Sequence, residues 1–319
     1  MKYFYTIILI ISSLSATIYN VPLDVSTIQG AINFSANGDT VLVAPGTYYE
    51  NIDYSGKEII IASMMLLDGN EGHIAETIID GNNNGTVVTF ENDETNASIL
   101  YGLSIRGGSG TLGNASDLGA NGYRFAGGIG IFRSEPTISY CYIYDNIVSP
   151  TLQTESFGGG ISMYGATWAY GIGEPVTYNW NPIIEYCKIY DNAANLGGGI
   201  SVLDGIDPII KNCLIKDNIS TNGWIGGGIY SRIASPLIYR CIFKNNRAPS
   251  NIGGAIGLDM GGEPVILNCT FDNNNDAAIF MIGGSYPSII NSIFTNNTYN
   301  NQPGGDIFIG ANNGTYDMY

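Results

Sequence analysis

The sequence predicts an all-β fold, a parallel β-helix of stacked coils, and two observations lead to this prediction. The first is a repeat in which proline is followed five residues later by cysteine or serine, and five further on by asparagine. Pro208, Cys213 and Asn218 form its clearest copy. The second is composition, because 43 of the 319 residues are glycine, 45% are hydrophobic and only 13% are charged. Such a chain has ample apolar surface to bury and favours short strands joined by tight turns.

The repeat recurs with steps of 46, 26, 28, 28 and 23 residues between successive centres, which is typical of stacked structural units. The glycine, proline and β-branched content argues against helical repeats. A propeller blade needs about 40 residues, more than most of these steps supply. One coil of a parallel β-helix, with two or three short strands, fits the spacing. We therefore expect β-helix repeats across residues 61–319.

Each position of the repeat has a predicted role. Proline lacks an amide hydrogen and starts a strand, while the central residue points into the core. The asparagine closes the strand, and its amide can hydrogen-bond to the asparagines of neighbouring coils. The predicted core column is Cys141, Cys187, Cys213, Cys241 and Cys269. The predicted ladder is Asn146, Asn192, Asn218, Asn246, Asn274 and Asn297.

Five cysteines in one column raise the question of disulfides or a metal site. Neighbouring coils would place them about 4.8 Å apart, with parallel side chains that suit the torsion of a disulfide poorly. A metal needs ligands that converge from several directions. Ser292 and Leu103 occupy the same position of the repeat. We therefore expect buried free thiols that pack as small hydrophobic groups, with a disulfide and a metal as alternatives.

The two ends of the chain carry separate predictions. Residues 1–16 have the features of a signal peptide: Lys2, a short apolar run and small residues before Ala16. Residues 17–60 are expected to form an N-terminal cap and first coil, with a short capping helix that has Asp24 or Ser26 as its N-cap. No cap follows the last repeat, so we expect the chain to be truncated at its C-terminal end. No later stretch could span a bilayer.

Net charge restricts the partners. The chain has a formal net charge of −16 and only 12 basic residues. It would repel the phosphate backbone of a nucleic acid, so nucleic acid is not expected as a partner. An acidic polymer would need a bridging cation such as calcium.

Two segments resemble known families. Thr27–Ile32, Gly38–Val41 and Pro45–Tyr48 are similar to the start of bacterial secreted right-handed β-helix proteins of the pectin-lyase-like superfamily. Gly253–Ile256 followed by Phe271–Asn274 resembles the repeat of chlamydial polymorphic outer-membrane proteins. The resemblance implies a right-handed, single-stranded parallel β-helix, secreted or on the outer cell surface of a bacterium. The superfamily includes lyases, hydrolases and adhesins, so it implies no single activity.

One insertion interrupts the repeat. The step from Cys141 to Cys187 is about 20 residues too long, and the excess lies between Ile161 and Pro182. Insertions in solenoids form surface loops, often on the binding face, and aromatic rings with polar edges suit sugars or proteins. The alternative is a flap that packs on its own coil. The candidate ligand-binding residues are Tyr164, Trp168, Tyr170, Tyr178 and Trp180, with Trp224 from a shorter loop.

Two further groups of residues are candidates. Asp145, Asp191 and Asp217 each precede a ladder asparagine, and a stacked column of carboxylates could bind calcium. The alternative is solvated carboxylates relieved by nearby lysines. Aromatic and apolar residues at stacked corners could form an aromatic track along one edge; they are Tyr123, Phe157, Leu196 and Trp224. The alternative, which the sequence favours, is single surface aromatics that cap the corners.

Catalytic motifs are mostly missing. The only histidine, His73, has no adjacent paired carboxylates. The sequence therefore favours a non-catalytic, adhesin-like scaffold that binds a polysaccharide or a surface protein. The alternative is a polysaccharide lyase or glycoside hydrolase whose Asp/Glu pair is assembled across coils. A third hypothesis is a purely structural stalk.

Overall fold

A computed structural model describes residues 16–113, 123–149, 155–165, 180–221, 225–248, 253–300 and 302–310. The predicted signal peptide, apart from its last residue, lies outside these ranges. So do four candidate ligand-binding residues, namely Trp168, Tyr170, Tyr178 and Trp224.

Three long sheets of parallel strands run the length of the structure, and within each sheet the strands follow chain order. Sheet 1 contains Ile18–Val21, Thr40–Val43, Ile60–Ser63, Ile99–Tyr101, Thr137–Ser139, Ile183–Glu185, Ile209–Lys211, Leu237–Tyr239, Val265–Leu267 and Ser288–Ile290. Sheet 2 contains Gly46–Tyr49, Thr77–Asp80, Ser104–Arg106, Tyr142–Tyr144, Lys188–Tyr190, Leu214–Lys216, Ile242–Lys244, Thr270–Asp272 and Ile293–Thr295. Sheet 3 contains Ile52–Asp53, Val88–Phe90, Ile129–Phe132, Ile161–Tyr164, Ile200–Leu203, Ile229–Arg232, Ile256–Asp259, Ile279–Met281 and Ile307–Ile309.

Shorter strands lie at the corners between the long sheets. Thr111–Leu112, Arg124–Phe125 and Ser156–Phe157 form one small sheet. Two pairs lie elsewhere: Ala193–Ala194 with Ile219–Ser220, and Thr298–Tyr299 with Gln302–Pro303. Because each coil adds one strand to each long sheet, the fold is a right-handed, single-stranded parallel β-helix, and the predicted fold class is confirmed.

Two corners of each coil depend on a residue in the left-handed backbone region. The corner between sheets 1 and 2 has φ between 47° and 55° at Tyr140, Tyr186, Asn212, Arg240, Asn268 and Asn291. The corner after sheet 2 has φ between 52° and 56° at Asp145, Asp191, Asp217, Asn245, Asn273 and Asn296. Asp and Asn tolerate this region better than most residues. The bend is therefore made by the residue that precedes each ladder asparagine, and the asparagine itself points inward.

The interior consists of columns of identical or similar side chains. Isoleucines from sheet 1, including Ile184 and Ile210, are fully buried. Phe243, Phe271 and Phe294 stack with ring centroids 4.8 Å apart. All five cysteines are free and buried. The Cys213 thiol, for example, donates to Lys211 O at 3.2 Å, so each thiol satisfies its donor locally while its bulk fills the core.

The N-terminal end is covered by the helix Ile28–Phe34, whose Ile28, Ala31 and Ile32 are buried in the main core. The expected N-cap was wrong: Thr27 is the N-cap, and its hydroxyl accepts from Gly30 N at 3.1 Å. Asp24 instead accepts from Asn20. Further helices span Met65–Asp68 and Gly72–Glu76. Among the described residues, no helix has the length and apolar character needed to cross a membrane.

Candidate functional site

A cavity of about 490 Å³ lies on the outer side of sheet 3, near the N-terminal coils. Its floor comes from residues that alternate with buried core positions, since Val88 and Phe90 point inward and Thr89 points outward. The lining residues are Asp53, Thr86, Thr89, Glu91, Asn92, Thr111, Leu112, Gly113, Phe125, Phe132, Arg133 and Tyr164. We call this cavity the sheet-3 groove.

The groove continues past its N-terminal end. A neighbouring cavity of about 290 Å³ shares Asp53, Thr86, Thr89 and Thr111 with it and adds Asn51, Ile52, Asn84 and Gly85. The two cavities therefore form one elongated depression that crosses several coils, lined along much of its length by hydroxyl and amide groups.

One wall of the groove is positioned by a small antiparallel pairing of Thr111–Leu112 with Arg124–Phe125. Thr86 joins this wall to the floor, because its amide donates to Thr111 Oγ1 at 3.1 Å and its hydroxyl lies 2.9 Å from the same oxygen. Thr86 Oγ1 also donates to Ala126 O at 2.7 Å. These bonds give the wall a defined place above sheet 3.

Two carboxylates from successive coils face the groove. Asp53 is half-buried, and its Oδ1 accepts from the amide of Ser55 at 2.5 Å and from the Ser55 hydroxyl at 3.2 Å. Glu91 is exposed and follows the strand Val88–Phe90. Sequence reasoning missed both, because they are far apart along the chain and only the stacking of coils brings them to one cavity.

Arg133 brings a positive charge to the same groove. It follows the strand Ile129–Phe132, has φ of 50°, and its amide donates to Tyr164 O at 2.9 Å. The side chain is half-buried, and no carboxylate of the described residues lies within ion-pair distance of it. The guanidinium is thus available to an anionic group in the groove.

Tyr164 lies at the other end of the lining. Burial raises the pKa of its hydroxyl to about 12, with a smaller contribution from the charge of Asp204, while Arg232 and Arg133 oppose the shift. The phenol is therefore neutral at physiological pH and can donate a hydrogen bond. Only 5% of Tyr164 is exposed, so a ligand in the groove would meet only a small part of this side chain.

The structure corrects both surface interpretations of the stacked corners, the aromatic track and the single capping aromatics, at Phe157 and Leu196. Tyr123 and Phe157 do come together, with ring centroids 5.6 Å apart, and Phe157 pairs with Leu196. However, Phe157 and Leu196 are only 1% and 3% exposed. They belong to a second hydrophobic core that covers the outer face of sheet 3, together with Phe125, Ala126, Tyr164, Leu203, Ile225, Tyr230 and Phe280. Apolar side chains are better buried there than held in water.

The described parts of the insertion lie at its two ends. Tyr164 lines the groove, whereas Trp180 is half-buried, packs against the main core and bridges to Ile206. The structure therefore brings Tyr164, but not Trp180, to the lining of the groove.

A polar cluster lies further along sheet 3. Arg232 makes two hydrogen bonds to Asp204, Nη2 to Oδ2 at 2.6 Å and Nε to Oδ1 at 3.1 Å. Tyr230 Oη donates to Asp259 at 3.1 Å. Burial disfavours the charged form of Arg232. The hydrogen bonds to Asp204 and the negative charge of Asp204 outweigh this effect and raise the pKa of Arg232. These partners satisfy one another, which indicates a structural role.

The three aspartates of the predicted column lie in different surroundings. Lys216 Nζ lies 2.7 Å from Asp217 Oδ2, and Asn245 Nδ2 donates to Asp217 Oδ1 at 2.9 Å. Asp145 and Asp191 are exposed. Burial and the neighbouring Asp217 raise the pKa of Asp191. In the part of the chain that the structure describes, no three His, Cys, Asp or Glu side chains are grouped as a metal site.

His73 lies apart from the groove lining. Its Nε2 is 3.0 Å from Asp68 Oδ2 and its Nδ1 is 3.4 Å from Glu76 Oε2. The contact with Asp68 joins the two short helices of the second coil, whereas the contact with Glu76 lies within one helix.

Comparison with known proteins gives a family and several solved structures. The family model for the right-handed β-helix region matches residues 62–247 and 170–316. The chain is similar to rice weevil pectin methyl esterase, with 13% identity over 91% of this chain and 90% of that one and a TM-score of 0.49. It is also similar to pectin methylesterases from Aspergillus niger (13% identity, 96% and 92% covered, TM-score 0.45) and Erwinia chrysanthemi (12% identity, 86% and 90% covered, TM-score 0.44). Comparison with curated proteins found no match.

Proposed function

Because the chain belongs to the right-handed β-helix family, we propose that its outward sheet-3 groove binds a polysaccharide, and that the protein is a secreted or surface-attached bacterial scaffold that holds this ligand without cleaving it. The observation that supports this proposal is the lining of the groove: hydroxyls, an amide, one guanidinium and aromatic rings around a cavity of about 490 Å³. That volume lies within the range of small-molecule sites, roughly 300–1,000 Å³.

The polar lining suits a sugar. Thr89 offers a hydroxyl that both donates and accepts, and Asn92 offers an amide with both functions. A saccharide carries the same mixture of donors and acceptors on each ring. The continuation of the groove past Asn51 and Asn84 provides length for a chain of several rings.

Three further lining residues can orient a bound sugar. Phe132 is half-buried at the groove, so it can present an apolar surface to the C–H face of a sugar ring. Tyr164 can donate a hydrogen bond from its neutral phenol. Arg133 can pair with a carboxylate or sulfate on the ligand, since none of the described carboxylates occupies it.

The location outside the cell rests on sequence features. Residues 1–16 have the pattern of a signal peptide, and the repeats resemble those of chlamydial outer-membrane proteins. A surface protein is the alternative partner for the same groove.

One observation favours a second function, a glycoside hydrolase or polysaccharide lyase. Asp53 and Glu91 line the same groove, and most glycoside hydrolases use two carboxylates on either side of the scissile bond. In that case one carboxyl group would protonate the leaving oxygen and the other would act as base or nucleophile.

Calorimetry with a panel of neutral and acidic oligosaccharides tests the binding proposal. Arg133→Ala and Thr89→Leu should each weaken binding of a bound oligosaccharide at least fivefold. Asp93→Asn is a matched control, because Asp93 is exposed, lies outside the lining, and has a φ of 58° that asparagine tolerates. Equal affinity of all four proteins would refute the groove as the site.

The same panel separates binding from cleavage. The scaffold proposal predicts no new reducing ends and no unsaturated products after prolonged incubation, with or without calcium. If products form, and if Asp53→Asn and Glu91→Gln abolish them while Asp93→Asn does not, the hydrolase or lyase function replaces the scaffold.

A further inference from the structure

The outer side of sheet 1 is apolar over seven successive coils. Its strands from Ile99–Tyr101 to Ser288–Ile290 each present two side chains outward, 14 in all, of which seven are aliphatic and two are charged. The aliphatic ones are Ile99, Ile183, Ile209, Leu237, Val265, Leu267 and Ile290. In the same coils, the 14 outward side chains of sheet 2 include only three aliphatic and five charged residues. We call the outer side of these seven sheet-1 strands the sheet-1 face.

One register row of the sheet-1 face is aliphatic in nearly every coil. Its members in successive coils are Ile99, Thr137, Ile183, Ile209, Leu237 and Val265. All six are half-buried, and none belongs to either hydrophobic core. Parallel strands that are apolar on both sides are typical of sheets that are covered on both sides. An apolar row left at the surface therefore indicates an interaction site.

The sheet-1 face carries no net charge. Its two charged side chains neutralise each other, because Lys211 Nζ lies 2.8 Å from Glu185 Oε2. The whole chain, by contrast, has a net charge of −16. Two copies of this chain carry like charge overall, but their sheet-1 faces can meet without like charges opposing each other.

We propose that the sheet-1 face binds the same face of a second copy, so that the protein forms a two-fold symmetric dimer. Side chains repeat along both faces at the coil spacing of about 4.8 Å, so the two faces can interdigitate along all seven coils. A partner with a different repeat distance could match this face only locally. A second copy supplies the matching period by symmetry.

The size of the face is sufficient for a weak dimer. Seven coils extend about 34 Å along the solenoid axis, and the five residues from the start of a strand segment to the next corner span about 16 Å. Each copy would contribute about 540 Å², or about 1,100 Å² for the pair. Specific interfaces begin near 1,000 Å², so we expect a dimer that dissociates on dilution.

Carboxylates beside the face select the orientation of the dimer. Glu135, Asp207 and Glu263 each precede the proline before a sheet-1 strand. A two-fold axis along the strands would place these carboxylates opposite their own copies, where like charges repel. An axis parallel to the solenoid instead places them near the corner that follows sheet 1 in the partner. That corner has no carboxylate in the seven coils; its residues are Gly102, Tyr140, Tyr186, Asn212, Arg240, Asn268 and Asn291.

The dimer and the sheet-3 groove are separate proposals. No lining residue of the groove belongs to sheet 1, so either proposal can fail without the other.

Sedimentation over a range of protein concentrations tests the dimer. The wild-type protein should be dimeric at about 100 μM and mostly monomeric below about 1 μM, because its interface is small. The dimer should persist at about 0.5 M salt, where exposed charges are largely screened. A wild-type protein that is monomeric at about 100 μM would overturn the proposal, and the face would then belong to a different protein or to chain outside the described ranges.

Threonine substitutions locate the interface, because Thr137 already occupies the aliphatic row. The triple variant Ile183→Thr/Ile209→Thr/Leu237→Thr should dimerise at least tenfold more weakly than wild type. Cooperative thermal unfolding of the monomeric variant would show that the loss is not a loss of folding. Dimerisation as strong as in wild type would refute the sheet-1 face.

Sheet 2 offers a matched control. Its outward row contains Leu214, Ile242 and Ile293 together with Thr270, so Leu214→Thr/Ile242→Thr/Ile293→Thr makes the same chemical change on the neighbouring wall. This triple variant should dimerise within twofold of wild type. Equal weakening by the two triple variants would also overturn the proposal.

Cross-linking tests the parallel orientation, in which Leu237 of one copy faces Tyr239 of the other. A mixture of Leu237→Cys and Tyr239→Cys proteins, treated with a short bis-maleimide, should give at least fivefold more cross-linked dimer than either variant alone. Wild-type protein is the background control, because its five cysteines are buried. Equal cross-linking of the mixture and the separate variants would overturn this arrangement.

Discussion

Asn192 Nδ2 donates to Asn218 Oδ1 at 3.0 Å, and the Asn192 amide donates to the same oxygen at 3.1 Å. The pattern repeats in the neighbouring coils, where Asn218 Nδ2 donates to Asn246 Oδ1 at 3.1 Å. Each ladder asparagine also donates to a carbonyl of the preceding coil, as Asn218 does to Ile189 O at 2.9 Å. One side chain therefore links three coils, because it satisfies buried groups on the coil before its own and on the coil after it.

Asn218→Ala should destabilise the protein strongly. The change leaves the Asn192 side-chain and backbone donors and the Ile189 carbonyl without this partner, and a buried unsatisfied group costs about 1–3 kcal/mol. We expect a loss of roughly 3 kcal/mol or more in the free energy of unfolding, measured by chemical denaturation. Asn96→Ala, at an exposed asparagine, is the control and should change stability by less than about 0.5 kcal/mol.

Gly199→Ala should destabilise through close approach of two coils. A Cβ at Gly199 would lie 2.6 Å from Gly228 O, and one at Gly160 would lie 2.6 Å from Gly199 O. Backbone must shift to admit the methyl group, at a cost of about 1–3 kcal/mol. In the same register column, Gly228 follows Gly199 and Ala255 follows Gly228. The fold already accommodates a methyl group at Ala255, so Ala255→Gly should destabilise the protein by no more than about 1 kcal/mol. Thermal unfolding compares the two, and equal melting temperatures would contradict the explanation.

Asp204→Asn should destabilise by leaving Arg232 without its carboxylate. Asp204 is 4% exposed and holds both guanidinium contacts, and breaking a buried pair costs about 3–5 kcal/mol. The double variant Asp204→Leu/Arg232→Met should recover most of this loss, because neither charge then remains buried. If the double variant is less stable than Asp204→Asn, the pair contributes more than charge neutralisation.

Acid should weaken the C-terminal coils through Asp272. Hydrogen bonds from Asn296, Lys244 and Thr295 lower the pKa of Asp272 to about 2. A carboxyl group whose pKa is lower when folded adds stability above its unfolded value, near 3.9, and loses it as the pH falls towards 2. The stability difference between wild type and Asp272→Asn should therefore shrink between about pH 4 and pH 2. A difference that is constant across this range would show that Asp272 does not act through its charge.

The repeat could be predicted from sequence because it is local. Pro208, Cys213 and Asn218 stand at fixed spacing, and hydrophobic alternation assigns the inward positions. The prediction placed the bend at Asn218, which is wrong by one residue, because Asp217 and Asn218 are equally suited to a turn by type. Only the backbone shows that Asp217 has φ of 56° and that Asn218 is fully buried.

The candidate sites were predictable only in part. Tyr164 was named from the insertion, and it does line the groove. Asp53, Glu91 and Arg133 were not, since each is isolated in the sequence. Phe157 was expected at an exposed edge but is buried, because burial depends on the chain that folds over sheet 3.

The sequence by itself determined the coil of this protein: periodic proline, cysteine and asparagine specify strand starts, a core column and a hydrogen-bonded ladder through contacts that every coil repeats. Tertiary structure decided which outward residues meet. Stacking brings Asp53, Glu91 and Arg133 to one groove. These residues have no period in the sequence, because the lengths of the corner segments, rather than the repeat, decide which side chains become neighbours.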